Sequence, residues 1–126
     1  MILCDTNILV EFYKNNSDII QQLQTIGSTS IAISTITRAE LYYGAINKNE
    51  LNQIKKHLDL ISNIPLDQAI SSQFVGLMLD YSLSHKLTIP DAIIAATAIT
   101  QNFELYTLNI RDFRFIQDLK LYQIAP

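Results

Sequence analysis

Short apolar runs and longer segments of helical periodicity alternate along the whole chain. Met1 to Cys4 is an apolar run that predicts an opening strand, and Ser30-Ile31-Ala32-Ile33-Ser34 predicts a buried second one from its branched content. Between them, Ile8 to Lys14 predicts a helix, and Ser17 is a fair N-cap for another that ends near Gly27. Helices are predicted from Thr37 to about Asn47 and from about Asn49 to Ser62. Ile64-Pro65-Leu66 then reads as a brief strand, followed by Asp67 as the N-cap of the next helix. Ile70, Phe74, Leu77, Met78 and Tyr81 recur at spacings of three and four, which gives that helix one apolar face. Pro90 starts a further helix, Asp91-Ala92-Ile93-Ile94-Ala95-Ala96-Thr97-Ala98-Ile99, apolar nearly all round and therefore central. Glu104 to Leu108 and Leu121 to Ile124 read as the last strands.

Strands that alternate with helices imply an α/β fold of three layers, a central, mostly parallel sheet flanked by helices on both faces. The chain of 126 residues fits one such domain, residues 1–126. At 48% hydrophobic and 17% charged it fills a core and shows no sign of disorder. The longest uninterrupted apolar stretch, about Ala92 to Ala96, is far short of the roughly 18 residues a membrane span needs. The start, Met1-Ile2-Leu3-Cys4-Asp5, has no basic region of the kind that opens a secretory signal. The single cysteine forms no internal disulfide, and no Cys/His spacing suggests zinc. The expectation is a soluble, cytoplasmic domain. A net charge of −3 speaks against gripping phosphates, yet if four of the twelve acids gather on a cation, the remainder carries a slight positive balance.

In parallel sheets of this kind, sites lie at the carboxyl ends of the strands. That rule selects four acids. Asp5 ends the first strand, Glu40 falls in the first turn of the helix after the second, Asp91 opens the apolar helix, and Asp112 follows the strand Glu104 to Leu108. Each also has a structural reading. Asp5 is a fit N-cap, Thr37-x-x-Glu40 matches a capping box, Asp91 beside Pro90 suits the helix dipole, and Asp112 fits a turn. Brought together, the four would repel one another without a cation, and hard divalent cations take oxygen ligands.

At these residues the sequence resembles the PIN-domain family, and within it the VapC-like ribonuclease toxins of type II toxin–antitoxin pairs. Cys4-Asp5-Thr6-Asn7-Ile8-Leu9-Val10 is similar to the first motif of that family, and Thr35-Ile36-Thr37-Arg38-Ala39-Glu40-Leu41-Tyr42-Tyr43-Gly44 to the second. Ile89-Pro90-Asp91-Ala92-Ile93-Ile94-Ala95-Ala96-Thr97-Ala98 resembles the third, the most specific, and Leu105-Tyr106-Thr107-Leu108-Asn109-Ile110-Arg111-Asp112-Phe113 the last. The resemblance implies a PIN-like fold and an endoribonuclease dependent on Mg²⁺ or Mn²⁺, dimeric and held inactive by a cognate antitoxin. It implies Asp5 and Asp91 as metal ligands, Glu40 as a ligand or water-orienting group, and Asp112 as the fourth acid of a catalytic pocket. Thr6, Asn7, Thr107 and Asn109 would be polar supports that orient the carboxylates.

Arg38, Arg111 and Arg114 lie near these motifs and are candidate RNA phosphate contacts, with solvated surface charge as the alternative. Cys4 reads as a small core residue, and His57 and His85 as histidines without a partner that would make either a base. Glu11, Asp59 and other scattered acids read as surface charge. An aspartyl phosphatase expects a second Asp two residues after Asp5, where Asn7 stands. A phospho-receiver or glycine-rich nucleotide fold finds no match. Two alternatives stay open: a catalytically silent PIN-like binding module, and a PIN nuclease of RNA processing that is not a toxin.

Overall fold

The computed structural model describes residues 1–124, so the last two residues of the predicted domain lie outside the described residues. Five strands form one wholly parallel sheet in the order β3-β2-β1-β4-β5: β1 Ile2–Cys4, β2 Ile31–Ser34, β3 Ser62–Ile64, β4 Glu104–Tyr106 and β5 Lys120–Leu121. Six α-helices connect them: α1 Thr6–Tyr13, α2 Ser17–Ile26, α3 Thr35–Tyr43, α4 Lys48–Leu58, α5 Gln68–His85 and α6 Ile89–Gln101. The three-layer α/β/α architecture expected from the sequence is the one observed.

Alternation along the strands assigns each side chain to a layer. Leu3, Ala32 and Leu105 point to a core shared with Ile70 and Leu77 of α5 and with Ala92, Ile94, Ala95 and Ala98 of α6. Cys4, Ile31, Ile33 and Tyr106 point to the other, shared with residues of α1 to α4 such as Ile8, Leu23, Leu41 and Leu58. Cys4 is a core residue, as expected, and burial pushes its thiol up to about 12.

Several boundaries differ from the sequence reading. Ser17 is the first helical residue of α2, and Asn16 is its cap, accepting from the backbone N–H of Asp18 at 3.1 Å. Helix α3 starts at Thr35, with Ser34 as its cap. Helix α4 stops at Leu58, because Asn63 Nδ2 donates to the carbonyls of Leu58 and Ile61 at 3.1 and 2.8 Å and satisfies the helix end. The third strand is Ser62–Ile64 rather than Ile64 to Leu66, since Pro65 has no N–H with which to extend the ladder. The fifth strand is Lys120–Leu121, one residue earlier and shorter than Leu121 to Ile124. Asp67 caps α5 as expected, accepting from Ile70 N at 2.8 Å.

Strand β1 is central, flanked by β2 on one side and β4 on the other. The chain leaves β1 for β2 on one side and crosses from β3 to β4 on the other, so a crevice opens beyond the carboxyl end of β1. Asp5 is the first residue there.

Candidate active site

Asp5 is only 5% exposed, and both of its carboxylate oxygens are engaged. It caps α1, with Oδ1 accepting from Thr6 N at 2.7 Å, while Thr107 Oγ1 donates to Oδ2 at 2.7 Å. Its own N–H donates to Tyr106 O at 2.9 Å, which carries the β1–β4 ladder up to the site. The capping and functional readings of Asp5 therefore coexist. Burial raises the pKa of this carboxyl, the hydrogen bonds from Thr107 and Thr6 draw it down, and the charges of Glu40 and Asp112 raise it again.

Glu40 is not part of a capping box. With the cap at Ser34, Thr37 lies inside α3, fully buried, and Glu40 stands in the second turn. Thr6 Oγ1 donates to Glu40 Oε1 at 2.7 Å and lies 3.0 Å from Thr37 Oγ1. Thr6 has a single hydroxyl proton, so the carboxylate takes it and Thr37 donates to Thr6 in turn. Asp5, Thr6 and Glu40 are thus tied into one polar chain across α1 and α3. Thr37 is a member of it that the sequence reading saw only as half of a capping box.

Asp91 sits in the first turn of α6, where Thr88 Oγ1 accepts from its N–H at 3.3 Å. It is half-buried, and its pKa is pushed up to about 6 by burial first and by the Asp5 charge second, with the Thr88 hydroxyl drawing it down and Asp112 and Glu40 adding to the rise. Asp112 closes the short 3-10 turn Ile110–Asp112 and is exposed. The polar supports also lie at this end of the sheet: Leu108 N donates to Asn7 Oδ1 at 3.4 Å, and Asn109 N to Thr107 Oγ1 at 3.0 Å.

A groove of about 390 Å³ is lined by Asp5, Thr6, Asn7, Glu40, Asp91 and Asn109, with Glu11 at its side. Asp112 lines a separate opening of about 290 Å³ that shares Asp91 with the groove. The acids therefore form a line, with Asp91 between the two spaces. A larger cavity of about 660 Å³ adjoins at Val10 and Glu40, lined by Phe12, Tyr13, Leu41, Ile54 and His57. It is mostly apolar and lacks Asp5 and Asp91.

The candidate cations divide. Arg38 is paired with Asp59 and donates from Nε to the Tyr42 hydroxyl at 2.7 Å, so its guanidinium is occupied. Asp59, read as plain surface charge, is the partner of both Arg38 and Lys55. Arg111 and Arg114 are exposed, and Arg111 lines the opening beside Asp91 and Asp112. Both histidines have partners that the sequence did not reveal. His57 Nδ1 lies 2.8 Å from the Tyr13 hydroxyl, and His85 stacks on Phe115 with ring centroids 4.1 Å apart.

Among the described residues, no three His, Cys, Asp or Glu side chains are close enough to hold one ion together. The donors that line the groove are all oxygen, the ligand type that hard divalent cations take. Asp5 and Asp91, each raised in pKa by burial first and by the charges of its neighbours as well, would gain from a cation between them.

The sequence profile described as the PIN domain matches residues 2–117. The chain is 34% identical to the ribonuclease VapC2 of Rickettsia felis, the alignment covering 94% of each chain. It is 29% identical to the ribonuclease VapC10 of Mycobacterium tuberculosis, over 95% of this chain and 91% of that one. Among solved structures, one described as a toxin–antitoxin complex from Klebsiella pneumoniae superposes with a TM-score of 0.82 at 33% identity, covering 98% of this chain and all of that one. VapBC2 from Rickettsia felis, bound to a DNA fragment from its promoter, gives a TM-score of 0.82 at 29% identity over 99% of this chain. Fold, motif order and sequence agree, and the chain belongs to the PIN-domain family.

Proposed function

We propose that the protein is an endoribonuclease that uses Mg²⁺ or Mn²⁺, the toxin of a toxin–antitoxin pair, with Asp5, Glu40, Asp91 and Asp112 as its acids. The observation that carries this reading is the Asp5–Thr6–Glu40 chain facing Asp91 across one groove. Carboxylates collected at a strand end, two of them raised in pKa by burial and, less strongly, by the charges of neighbouring carboxylates, make a site whose natural occupant is a cation. The names of the relatives supply the substrate class and the partner: ribonucleases for curated homologues, toxin–antitoxin complexes for structural neighbours.

Asp5 and Asp91 would hold the cation, which when bound offsets the charge of the RNA phosphate and acidifies the attacking water. The residues of the chain do the rest. Thr107 and the Thr6 N–H fix both oxygens of Asp5, so its orientation precedes substrate binding. Glu40, held by the Thr6 hydroxyl, is placed to orient water and accept its proton. Water oxygen bonds to phosphorus in line, the bond from phosphorus to the 3′ oxygen breaks, that oxygen takes a proton from solvent, and the products are a 5′-phosphate and a 3′-hydroxyl. No side chain becomes covalently attached, consistent with Cys4 being buried in the core.

The test is cleavage of RNA by the purified, partner-free chain in Mn²⁺ or Mg²⁺ and in chelator, with Asp91→Asn alongside. The expected result is cleavage that needs the cation and disappears in the variant. Equal cleavage by the variant would overturn the site assignment. No cleavage of transfer, ribosomal or messenger RNA by the folded, cation-supplied chain would favour a silent binding module instead.

A further inference from the structure

Asp91 borders two spaces, and the reading above uses only one of them. The second, about 290 Å³, lies between the α5–α6 connection and the 3-10 turn Ile110–Asp112, and is lined by His85, Lys86, Arg111, Asp112 and Phe115 as well as Asp91. We propose that this opening seats the nucleotide next to the cleaved bond. Lys86 and Arg111 hold its phosphate, and the His85–Phe115 pair receives its base. The inference rests on the ribonuclease reading of the adjoining groove.

Charge is the first argument. The chain has nine Lys and Arg against twelve acids. Among the described residues Lys14, Arg38 and Lys55 are spent in ion pairs, and of the six cations without one, Lys86 and Arg111 line this opening. These two exposed cations stand in an opening that also contains Asp91 and Asp112. A polyanion passing two carboxylates needs such a counterweight, and phosphate contacts are what fix the register of a nucleic acid.

The second argument is conformational. Lys86 has φ +55 and ψ +36, the left-handed region that Gly or Asn fills at least cost. A lysine here is held from both sides. Its N–H donates to Tyr81 O, and the next residue, Leu87, is anchored in the core. The turn at the end of α5 therefore fixes the backbone from which Lys86 lines the opening.

The third argument is the ring pair. His85 and Phe115 stack at 15° between planes, and Tyr81 braces Phe115 at 5.2 Å between centroids. His85 stays exposed although Phe115 covers one of its faces. A braced, solvent-facing aromatic stack beside two free cations is the chemistry that binds a single-stranded nucleotide by base and phosphate together.

The experiment is steady-state cleavage of a labelled single-stranded RNA that the wild-type chain cuts, with the double variant Lys86→Gln/Arg111→Gln and, separately, His85→Ala. All three positions are exposed, and circular dichroism checks that the variants fold. For the double variant, KM should rise about tenfold or more with kcat unchanged, and the slope of log KM against log salt should shrink by about 1.4, two single-strand phosphate contacts. For His85→Ala, KM should rise about tenfold, and the difference from wild type should vanish on RNA carrying an abasic site at the position that this opening receives. Wild-type cleavage with unchanged KM and salt slope in the double variant overturns the inference and leaves the ribonuclease reading intact. A fall in kcat at constant KM also overturns it, since that reports on assembly of the acids. If the wild type cuts no RNA, the reading beneath falls and the inference with it.

Discussion

The two halves of the acid line are built differently. On the Asp5 side the carboxylates are held by donors: Thr107 and Thr6 hold both oxygens of Asp5, and the Thr6 hydroxyl holds Oε1 of Glu40. On the Asp91 side, Thr88 caps the backbone of Asp91, and the carboxyl, half-buried and facing the charge of Asp5, has its pKa pushed up to about 6. Asp112 stands exposed on a short turn. One half is therefore a fixed template. The other is a labile partner whose charge state depends on what sits between the two. If a cation binds between them, as proposed above, the fixed half sets its position and the labile half responds to its arrival.

The largest test of this contrast removes one carboxylate from each half. Asp5→Asn and Asp91→Asn should each lower RNA cleavage by about a hundredfold or more, read from initial rates with saturating Mn²⁺. The two should differ in the cation-free protein. Asp5→Asn presents an amide donor toward the Thr107 hydroxyl and Thr6 N–H and should lower Tm, whereas Asp91→Asn removes a half-buried charge and with it the repulsion from Asp5, and should raise Tm by about 4 °C at pH 7, the effect being discounted for the solvent that reaches this side chain. A fall in Tm for Asp91→Asn would break the comparison.

Next in size is Thr107→Val. It removes the donor to Asp5 Oδ2 while keeping the shape of the side chain, and should cost about ten- to a hundredfold in cleavage. Since that hydrogen bond holds the Asp5 pKa down, its loss should also move the acid limb of the rate profile to higher pH.

The pH dependence sharpens the labile half. The pKa of Asp91 is raised from its ordinary value, so the folded chain binds more protons than the unfolded chain between about pH 4 and 6. Cation-free wild type should therefore lose stability as pH rises through that window and level off above it, opposite to the usual behaviour of a salt-bridged aspartate. Thermal melts from pH 4 to 7 in chelator check the sign, and Asp91→Asn should flatten the curve. Cleavage should run the other way, falling on acidification because protonation withdraws a ligand, and the fall should move to lower pH as Mn²⁺ is raised, since cation and proton compete for Asp91. The smallest effect belongs to Arg38→Ala. Arg38 faces Asp59 and Tyr42 rather than the groove, so cleavage and its salt dependence should stay unchanged, with Tm shifting by no more than about 2 °C.

What the sequence made legible follows from the range of the interactions. Asp5 and Asp91 stood out because each follows or opens an apolar element whose end had to be partly buried, and that is a local signal. Glu40 was selected for its place after a strand but described wrongly. Thr37-x-x-Glu40 has the spacing of a capping box, and only the tertiary structure shows Ser34 ending β2 and capping α3 in one residue. Thr37 then becomes buried support for Thr6, at 31 residues' separation. The alternation of strands and helices fixed the layers, while the edges of the sheet were misplaced. Strands β3 and β5 are two or three residues long, and their limits are set by Pro65 and by pairing partners far along the chain. His85 and Lys86 gave no signal at all, because their neighbours Phe115 and Arg111 come from the other side of α6.

The hydrogen bond from Thr107 to Asp5 has a consequence for when activity can arise. Its partners are 102 residues apart, and it exists only after β4 has docked against β1. Contacts of that separation form late, since the chain must close a long loop before they reward it. Synthesis runs from the amino end, so Asp5 leaves the ribosome 102 residues ahead of Thr107 and waits for its partner until that stretch is made. Until then the nascent chain carries its acids unassembled, and nuclease chemistry follows the docking of β4.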